Sequence, residues 1–364
     1  MRRILETGPT LLIVCPRRIG DVFLVTAIIE SLKSRLERLS IDILVFEGTE
    51  KVLEANPHIN KVLVIETRPG AKRHFRFIRQ IWKKYDYSIS MMSGDRPTLY
   101  ASMAAKVSYG VFESGLKNLW KRILLSKSIE APRTDMHRLL LSYQICEQFV
   151  DLKIFSPKIY VSSDRKSNVQ NILRHNNVSA KYVVIHLTPQ FRYKEWPLRE
   201  WEALIGKLVN RDLNVIITGT RHGSNVGDEG FSGLRGNSPL VLDLVGQLSL
   251  TEVASLIEGA MLFVGTDTAV THIAASLNTP TIAIFGPSNP IVWGPWPKNY
   301  LNQKNPWVLK GTQAIENVLL VQPTRHCVPC LMEGCDRHVE SESECLTTLR
   351  AEEVLGCIDR LIQC

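Results

Sequence analysis

Five polar side chains cluster at one strand-to-helix junction in the second half of the chain: Thr266, Asp267, Thr268, Thr271 and His272. Thr268, Thr271 and His272 are spaced i, i+3 and i+4, which places them on one face of the first helical turns. The amino end of such a helix, at the carboxyl end of a strand, binds anions such as a diphosphate. Two interpretations stay open: an anion-binding site, or an Asp267 that only caps the helix beside a buried core His272.

The net charge of the 364-residue chain points to anionic partners. Lysine and arginine number 44 against 36 aspartate and glutamate residues, which gives a formal charge of +8. The sequence contains no RNA-binding aromatic signature, no paired zinc-finger spacing and no basic-zipper heptad, so we expect no nucleic-acid partner. No apolar run reaches the roughly 18 to 20 residues that span a bilayer, and we therefore expect a cytosolic protein.

A strongly basic segment occupies residues 68–84. It contains seven lysine and arginine residues and no carboxylate. Phe75, Ile78, Trp82 and Tyr85 recur within it near helical spacing, which predicts a helix with an apolar inner face and a cationic outer face. Such a helix is either an ordinary solvated surface element or a contact for anionic lipid headgroups or a phosphorylated glycolipid.

Alternating strand and helix patterns predict an α/β fold with parallel sheets in two successive halves. The first strand is followed by a helix with an apolar stripe, and the pattern weakens between about residues 151 and 167 before it restarts. Neither a Gly-x-Gly-x-x-Gly nor a Walker-type Gly-Lys-Ser/Thr sequence is present, which argues against a dinucleotide oxidoreductase and a P-loop enzyme. The predicted strands cover residues 11–15, 41–46, 62–65, 87–92, 182–187, 215–218, 241–244, 261–264 and 281–285, and helices are expected near 199–210, 250–258 and 269–276.

Three separated blocks of the sequence resemble the heptosyltransferases of lipopolysaccharide core assembly, the family 9 glycosyltransferases with a GT-B fold. The first block is Arg-Ile-Gly-Asp-Val at residues 18–22, continued by Glu-Ala-Asn-Pro-His-Ile at 54–59. The second is His-Leu-Thr-Pro at 186–189 with Lys-Glu-Trp-Pro-Leu at 194–198. The third is the Gly-Thr-Asp-Thr junction from residue 265 to His272, followed by Phe-Gly-Pro-Ser-Asn-Pro at 285–290.

The resemblance implies two Rossmann-like domains whose parallel sheets face a central cleft. Residues 1–165 would form an N-terminal acceptor-binding domain, and residues 166–325 a nucleotide-sugar-binding domain. Residues 326–364 would form a cysteine-rich segment with a terminal helix.

The resemblance also implies an inverting transfer of heptose from ADP-heptose to a hydroxyl of the lipopolysaccharide inner core, without a cofactor. The acceptor would be an anionic phosphorylated glycolipid, so the enzyme would contact the cytoplasmic face of the inner membrane transiently, as a peripheral protein. Three alternatives stay open: a sugar-nucleotide epimerase, a transferase with a different nucleotide-sugar donor, and a non-catalytic sugar-nucleotide-binding protein.

The resemblance assigns roles to individual residues. Asp21 matches the catalytic base, and Lys194 matches a basic residue associated with phosphate charge. Asp267 and His272 lie in the family's donor motif, and with them Thr188, Thr266, Thr268 and Thr271 are our donor-binding candidates. The positive charge of the first half makes Arg18, Lys72, Arg73 and Arg76 the acceptor-binding candidates.

An aspartate can serve as the base for glycosyl transfer because it accepts the hydroxyl proton late, as the oxygen bonds to an oxocarbenium-like carbon. The alternative for Asp21 is that it only caps the helix after the first strand. The sequence has no Asp-x-Asp motif of the kind that holds a divalent ion, so we predict catalysis without a metal.

Four of the eight cysteines cluster near the end of the chain, at Cys327, Cys330, Cys335 and Cys345. The Cys-x-x-Cys element fits half of a structural zinc site, but the second half lacks the usual paired spacing. Structural zinc and reduced thiols without a metal both stay open for this cluster.

Overall fold

A computed structural model describes residues 8–131, 136–178, 181–220 and 238–363. The chain divides into two compact units, Met1–Tyr160 with Leu301–Lys304, and Val161–Tyr300 with Asn305–Cys364. The domain boundary predicted from the sequence follows residue 165. The structure places it after Tyr160, because the helix that begins at Ser163 packs against a helix of the second unit.

Each unit is built on one largely parallel sheet. The strands of the first unit are β1 (Thr10–Val14), β2 (Ser40–Phe46), β3 (Lys61–Ile65), β4 (Tyr85–Ser90), β5 (Ala105–Phe112) and β6 (Lys127–Glu130). Its helices are α1 (Ile19–Arg35), α2 (Ala71–Ile81), α3 (Asp95–Ala104), α4 (Leu119–Leu124) and α5 (Arg138–Glu147).

The second unit has the same strand–helix alternation. Its strands are β7 (Tyr182–His186), β8 (Asn214–Thr218), β9 (Val241–Asp243), β10 (Leu262–Thr266), β11 (Thr281–Ile284), β12 (Gln313–Ile315) and β13 (Val318–Val321). Its helices are α6 (Ser163–His175), α7 (Leu198–Val209), α8 (Leu250–Glu258), α9 (Ala269–Ser276), α10 (Pro290–Trp293), α11 (Glu344–Thr348) and α12 (Ala351–Gln363).

The first sheet has the strand order β3-β2-β1-β4-β5-β6, and every pairing in it is parallel. The order reverses between β1 and β4, which is the doubly wound arrangement in which ligands bind at the reversal. α1 is buried on all sides from Val22 to Ile29 because α5 covers its outer surface. The Tyr143 hydroxyl of α5 donates to the Ala27 carbonyl at 3.2 Å.

The second sheet has the order β12-β13-β11-β10-β7-β8-β9, with only the β12–β13 pair antiparallel among its described strands. Its order reverses between β7 and β10. α8 begins with a capping box in which Ser249 and Glu252 satisfy each other's backbone N–H groups, as the Ser-x-x-Glu spacing dictates.

The cysteine-rich segment and terminal helix predicted at residues 326–364 belong to the second unit, and residue 364 lies outside the described residues. Leu346, Val354 and Ile358 lie in the same apolar core as β7 and α7. The Trp196 indole N–H donates to the Leu349 carbonyl at 3.0 Å, which ties this segment to the segment before α7.

No helix in the described ranges is long and apolar enough to cross a membrane.

Candidate functional site

Asp21 lies where the strand order of the first sheet reverses. β1 and β4 are neighbours there, and the chain leaves them toward opposite sides of the sheet. A pocket opens at this reversal between the segments that follow the two strands and α5. Cys15, Asp21, Met91, Met92 and Arg138 contribute to its lining. The first unit therefore has a concave site where its topology predicts one.

Asp21 is in the first turn of α1 but does not cap it. Arg18 holds the N-cap position, so the interpretation of Asp21 as only a helix cap is wrong. Asp21 Oδ2 lies 3.4 Å from Arg17 Nε, and the aspartate side chain is 10% exposed.

Burial raises the pKa of Asp21, while the guanidinium groups of Arg17, Arg138 and Arg18 lower it without cancelling the effect of burial. A carboxylate with a raised pKa holds an abstracted proton more tightly than a solvated one, which suits a general base.

Arg138 is a site residue that the sequence analysis missed. It is the first residue of α5 and lines the same pocket as Asp21. Burial lowers its pKa, and the Asp21 carboxylate acts in the opposite direction. The sequence signal for Arg138 is its position directly before the Leu-Leu-Leu run at residues 139–141. A helix that packs this run into the core also buries the arginine that precedes it.

The four acceptor-binding candidates lie in two places along the carboxyl edge of the first sheet. Arg18 follows β1, whereas Lys72, Arg73 and Arg76 lie in the first turns of α2, which follows the outermost strand β3. All four side chains are exposed, and Arg73 forms an ion pair with Glu66. Their role in acceptor binding stays a prediction.

Lys194 and Asp267 meet at the reversal of the second sheet, where β7 and β10 are neighbours. Lys194 ends a 3-10 turn after β7, and Asp267 directly follows β10. Lys194 Nζ lies 2.5 Å from Asp267 Oδ2, and the two side chains are 17% and 7% exposed. Two sequence blocks separated by more than seventy residues thus supply one buried ion pair at the expected ligand site.

The ion pair and its burial set the charge of the neighbouring groups. Burial would raise the pKa of Asp267, but the Lys194 ammonium and a hydrogen bond from Ser288 bring it below its usual value. Burial lowers the pKa of His272 to about 4; Asp267 opposes this shift and Lys194 adds to it. At neutral pH the site therefore contains an ionised Asp267 carboxylate beside Lys194 and an uncharged His272 imidazole.

Besides Asp267 Oδ2, which forms the ion pair with Lys194, two polar atoms of this site are buried without a hydrogen-bond partner in the described part of the protein. They are Thr266 Oγ1 and His272 Nδ1. A buried polar atom without a partner is destabilising, and such atoms are commonly satisfied by a bound molecule or water. Both atoms are therefore suited to contact a ligand at this reversal.

The remaining threonines hold the loops of the site. Thr268, not Asp267, caps α9, because its Oγ1 accepts from the Thr271 N–H, so the interpretation of Asp267 as the helix cap is wrong. The Thr271 hydroxyl donates to the Thr266 carbonyl at 2.5 Å, and Thr188 Oγ1 accepts from the Thr220 N–H at 2.7 Å. Donor binding by Thr188, Thr268 and Thr271 stays a prediction.

Gly265, near the end of β10, leaves room for the side chains packed beside it. A Cβ added there would lie 2.8 Å from the Phe263 ring and 3.0 Å from Thr271 Oγ1. Any larger residue would displace the Phe263 ring and crowd Thr271.

The C-terminal cysteines are close to one another but differ in exposure. Cys345 is buried, Cys330 is half-buried, and Cys327 and Cys335 are exposed. Burial, followed by the nearby Cys330, Cys327 and Cys335 thiols, raises the pKa of Cys345 to about 12. Within the described ranges no three histidine, cysteine or acidic residues are arranged to hold a metal ion, so the zinc alternative gains no support from the geometry.

Comparison with known proteins identifies similar chains over the full length of this one. The model of glycosyltransferase family 9 (heptosyltransferase) matches residues 74–312, more than half of the chain. Lipopolysaccharide heptosyltransferase 3 of Escherichia coli K12 is 24% identical over 357 residues, which cover 94% of this chain and 95% of that protein.

Two solved structures share the fold. The glycosyl transferase family 9 protein of Veillonella parvula superposes with a TM-score of 0.78 at 16% identity, covering 98% of this chain and 97% of the other. The E. coli heptosyltransferase WaaC, solved with ADP, superposes with a TM-score of 0.68 at 17% identity, covering 97% and 99% of the two chains.

Proposed function

Because the chain belongs to glycosyltransferase family 9, the heptosyltransferases, we propose that it transfers a heptose from ADP-heptose to a hydroxyl of the lipopolysaccharide inner core. Its relatives include lipopolysaccharide heptosyltransferases, and the WaaC structures were solved with ADP and with ADP-2-deoxy-2-fluoro heptose. The observation that carries the proposal is the buried Lys194–Asp267 pair beside two unsatisfied polar atoms at the second reversal.

The second unit binds the donor in this proposal. The departing ADP gains negative charge as the bond between the anomeric carbon and the diphosphate oxygen breaks. Lys194 offsets that charge, and the amino end of α9 adds the positive end of its helix dipole. Asp267 fixes the lysine in place, and Thr266 Oγ1 and His272 Nδ1 offer two further hydrogen-bond positions.

The first unit supplies the base. The acceptor hydroxyl oxygen forms the new bond to the anomeric carbon from the face opposite the leaving group, so the configuration inverts. The hydroxyl proton passes to an Asp21 carboxylate oxygen late in this step. The raised pKa of Asp21 supports this role because the carboxylate then retains the proton more readily.

The basic residues of the first unit bind the acceptor. Arg18, Lys72, Arg73 and Arg76 are exposed cations at the carboxyl edge of the first sheet. Arginine pairs with phosphate through two parallel hydrogen bonds, and lysine acts as a point charge, so this set fits a phosphorylated glycolipid. Such an acceptor resides in a membrane, and the enzyme contacts the membrane surface transiently to reach it.

Asp21→Asn tests the assignment of the base. The amide cannot take the hydroxyl proton, so we expect turnover of ADP-heptose with inner-core acceptor to fall by about 10²- to 10⁴-fold. The affinity for ADP, measured by calorimetry, should be unchanged because the second unit binds the nucleotide.

Asp42→Asn is the matched control. Asp42 is a similarly buried carboxylate of the first unit, and it accepts hydrogen bonds from Asn60 and Tyr85 outside the pocket. We expect this variant to retain turnover within a few-fold. Full turnover in Asp21→Asn, or a parallel loss of ADP affinity, would contradict the assigned role. ADP binding without sugar transfer to any acceptor, in the unaltered protein, would favour a sugar-nucleotide-binding protein instead.

A further inference from the structure

One helical layer of the first unit carries large apolar side chains that are more than half exposed to solvent. Leu116 is 86% exposed, Ile123 82%, Phe75 71% and Trp82 55%. These side chains contribute little to the stability of the unit in this position, because they remain in water. We name them, with the cations around them, the apolar–basic face.

The four side chains belong to one face of the first sheet. α2 and α4 both pack against α3. Ile81 of α2, Tyr100 of α3 and Leu125 directly after α4 lie in the same apolar cluster beneath this layer. α2 and the segment at residues 116–124 are therefore neighbours of the same central helix, with their outer surfaces directed away from the sheet.

Each of the two segments contributes two of these exposed apolar side chains. Phe75 lies on α2 and Trp82 directly follows it, whereas Leu116 lies in a 3-10 turn at residues 116–118 and Ile123 lies on α4. On α2, Lys72 and Arg79 lie within one turn of Phe75 and are exposed, so cations border this aromatic side chain. This is the pattern of an interfacial helix that lies flat in the headgroup region of a bilayer.

The charge of the face is mostly positive. Residues 68–84 contain seven lysines and arginines, residues 115–129 contain four, and neither segment contains a carboxylate. Two of these cations are partly neutralised from outside: Lys121 is buried and pairs with Asp95 at 2.8 Å, and Arg73 pairs with Glu66. The others, including Lys117 and Arg122, leave the face strongly positive.

We propose that the apolar–basic face docks on an anionic lipid bilayer, with Phe75, Trp82, Leu116 and Ile123 inserted among the headgroups. The cations match a negatively charged lipid surface, and each one near the surface adds to the attraction. Leu116 and Ile123 offer nothing to a nucleic-acid phosphate but gain from contact with acyl chains. This inference rests on the proposed function in one respect, because a membrane-resident acceptor gives the docking its use.

Cosedimentation with vesicles tests the proposal. The probe is phosphatidylcholine containing about one third phosphatidylglycerol, compared with phosphatidylcholine alone. We expect the protein to bind the anionic vesicles, to bind the neutral ones at least tenfold more weakly, and to be released in part by high salt. Leu116→Ser with Ile123→Ser should lower the affinity for anionic vesicles at least tenfold, and Lys117→Glu with Arg122→Glu should do the same.

The second unit provides the matched control. Val308 and Ile362 are also exposed, at 61% and 44%, and Val308→Ser with Ile362→Ser should leave vesicle binding unchanged. Thermal unfolding and ADP affinity should match the unaltered protein in every variant, which separates loss of docking from loss of folding or of donor binding.

Three outcomes would overturn the docking proposal. The first is no binding of the unaltered protein to anionic vesicles, and the second is full binding by the Leu116→Ser, Ile123→Ser variant. The third is self-association that this variant abolishes without any vesicle binding, which would assign the face to a second copy of the chain. None of these results alters the Asp21 test, so the docking and the transferase proposals fail separately.

Discussion

Replacing Lys194 with methionine leaves the Asp267 carboxylate buried without its counter-ion. The two charged groups lie 2.5 Å apart, and their side chains are 17% and 7% exposed. Breaking a buried pair by removing one partner destabilises a protein by about 3–5 kcal/mol. Because Lys194 retains some access to solvent, we expect the lower end of this range, about 3 kcal/mol for Lys194→Met. In a domain of 150–250 residues this lowers the midpoint of thermal unfolding by roughly 6–12 °C.

The loss should depend on pH in a defined direction. In the unaltered protein the pKa of Asp267 is below its usual value, so this group stabilises the fold above its unfolded pKa, and the contribution is lost as pH falls. Without Lys194, we expect burial, the largest effect, to outweigh the hydrogen bond from Ser288 and to raise the folded pKa above the unfolded one, so the variant loses stability as pH rises. The difference between the two proteins should therefore be largest near neutral pH and shrink toward about pH 4.

Calorimetric melts of the second unit's transition across this pH range measure the effect. Lys207→Met is the control, because Lys207 pairs with Glu352 at 2.9 Å on the surface, where the side chains are 35% and 66% exposed. Exposed pairs contribute about 0–1 kcal/mol, so its midpoint should hardly move. Combining Lys194→Met with Asp267→Leu should recover much of the stability. A pH-independent loss, or additive effects in the double variant, would refute the reasoning.

Three further predictions concern the two sites. The acidic limb of the pH–rate profile should lie above the usual pKa of an aspartate, because burial raises the pKa of Asp21. Arg17→Ala should move this limb to still higher pH, because the Arg17 guanidinium lowers the pKa of Asp21. A limb that stays in place in this variant would argue against Asp21 as the base. Glu252→Gln should destabilise the second unit by on the order of 2–3 kcal/mol near neutral pH and by little near pH 2, as measured by urea unfolding. The reason is that hydrogen bonds lower the pKa of the Glu252 carboxyl to about 2, against the effect of its burial. Turnover should persist in excess chelator, because Lys194 offsets the charge of the leaving diphosphate, and loss of turnover there would point to a required metal.

The alternation of strands and helices was predictable because apolar runs and turn residues report directly on local structure. The structure confirms α8 and α9 with the predicted bounds, and the predicted strands differ from the observed ones by one or two residues at their ends. Four strands were not predicted, namely β5, β6, β12 and β13. The β12–β13 hairpin lies at the edge of the sheet, and its strands are only three and four residues long. The helix predicted in the basic segment at residues 68–84 is longer than the observed one, which ends at Ile81. Lys83 adopts a left-handed conformation with φ 49°, which a continuing helix does not allow.

The sequence indicates individual candidate residues for the site but not the contacts between them. Asp267 and Thr268 both precede α9, and their order alone does not decide which of them caps it. Asp267 instead pairs with Lys194, which belongs to another loop that the sheet topology places beside it. Arg138 likewise lines the Asp21 pocket although it lies far from Asp21 in the sequence. Local sequence patterns do not predict such long-range contacts.

The core of the second unit contains residues from the end of the chain, so during translation it is completed after the strands of the first sheet. Every strand of the first sheet has been translated by Glu130, whereas the apolar interior around β7 waits for Leu346, Val354 and Ile358. At roughly 5–20 residues per second, the ribosome needs about 10–40 s to add the intervening stretch of about 200 residues. During that interval the nascent chain holds an amino-terminal sheet whose strands are all present and a carboxyl-terminal half with uncovered strands. We therefore expect chaperones and proteases to recognise the nascent chain chiefly through its unfinished second half.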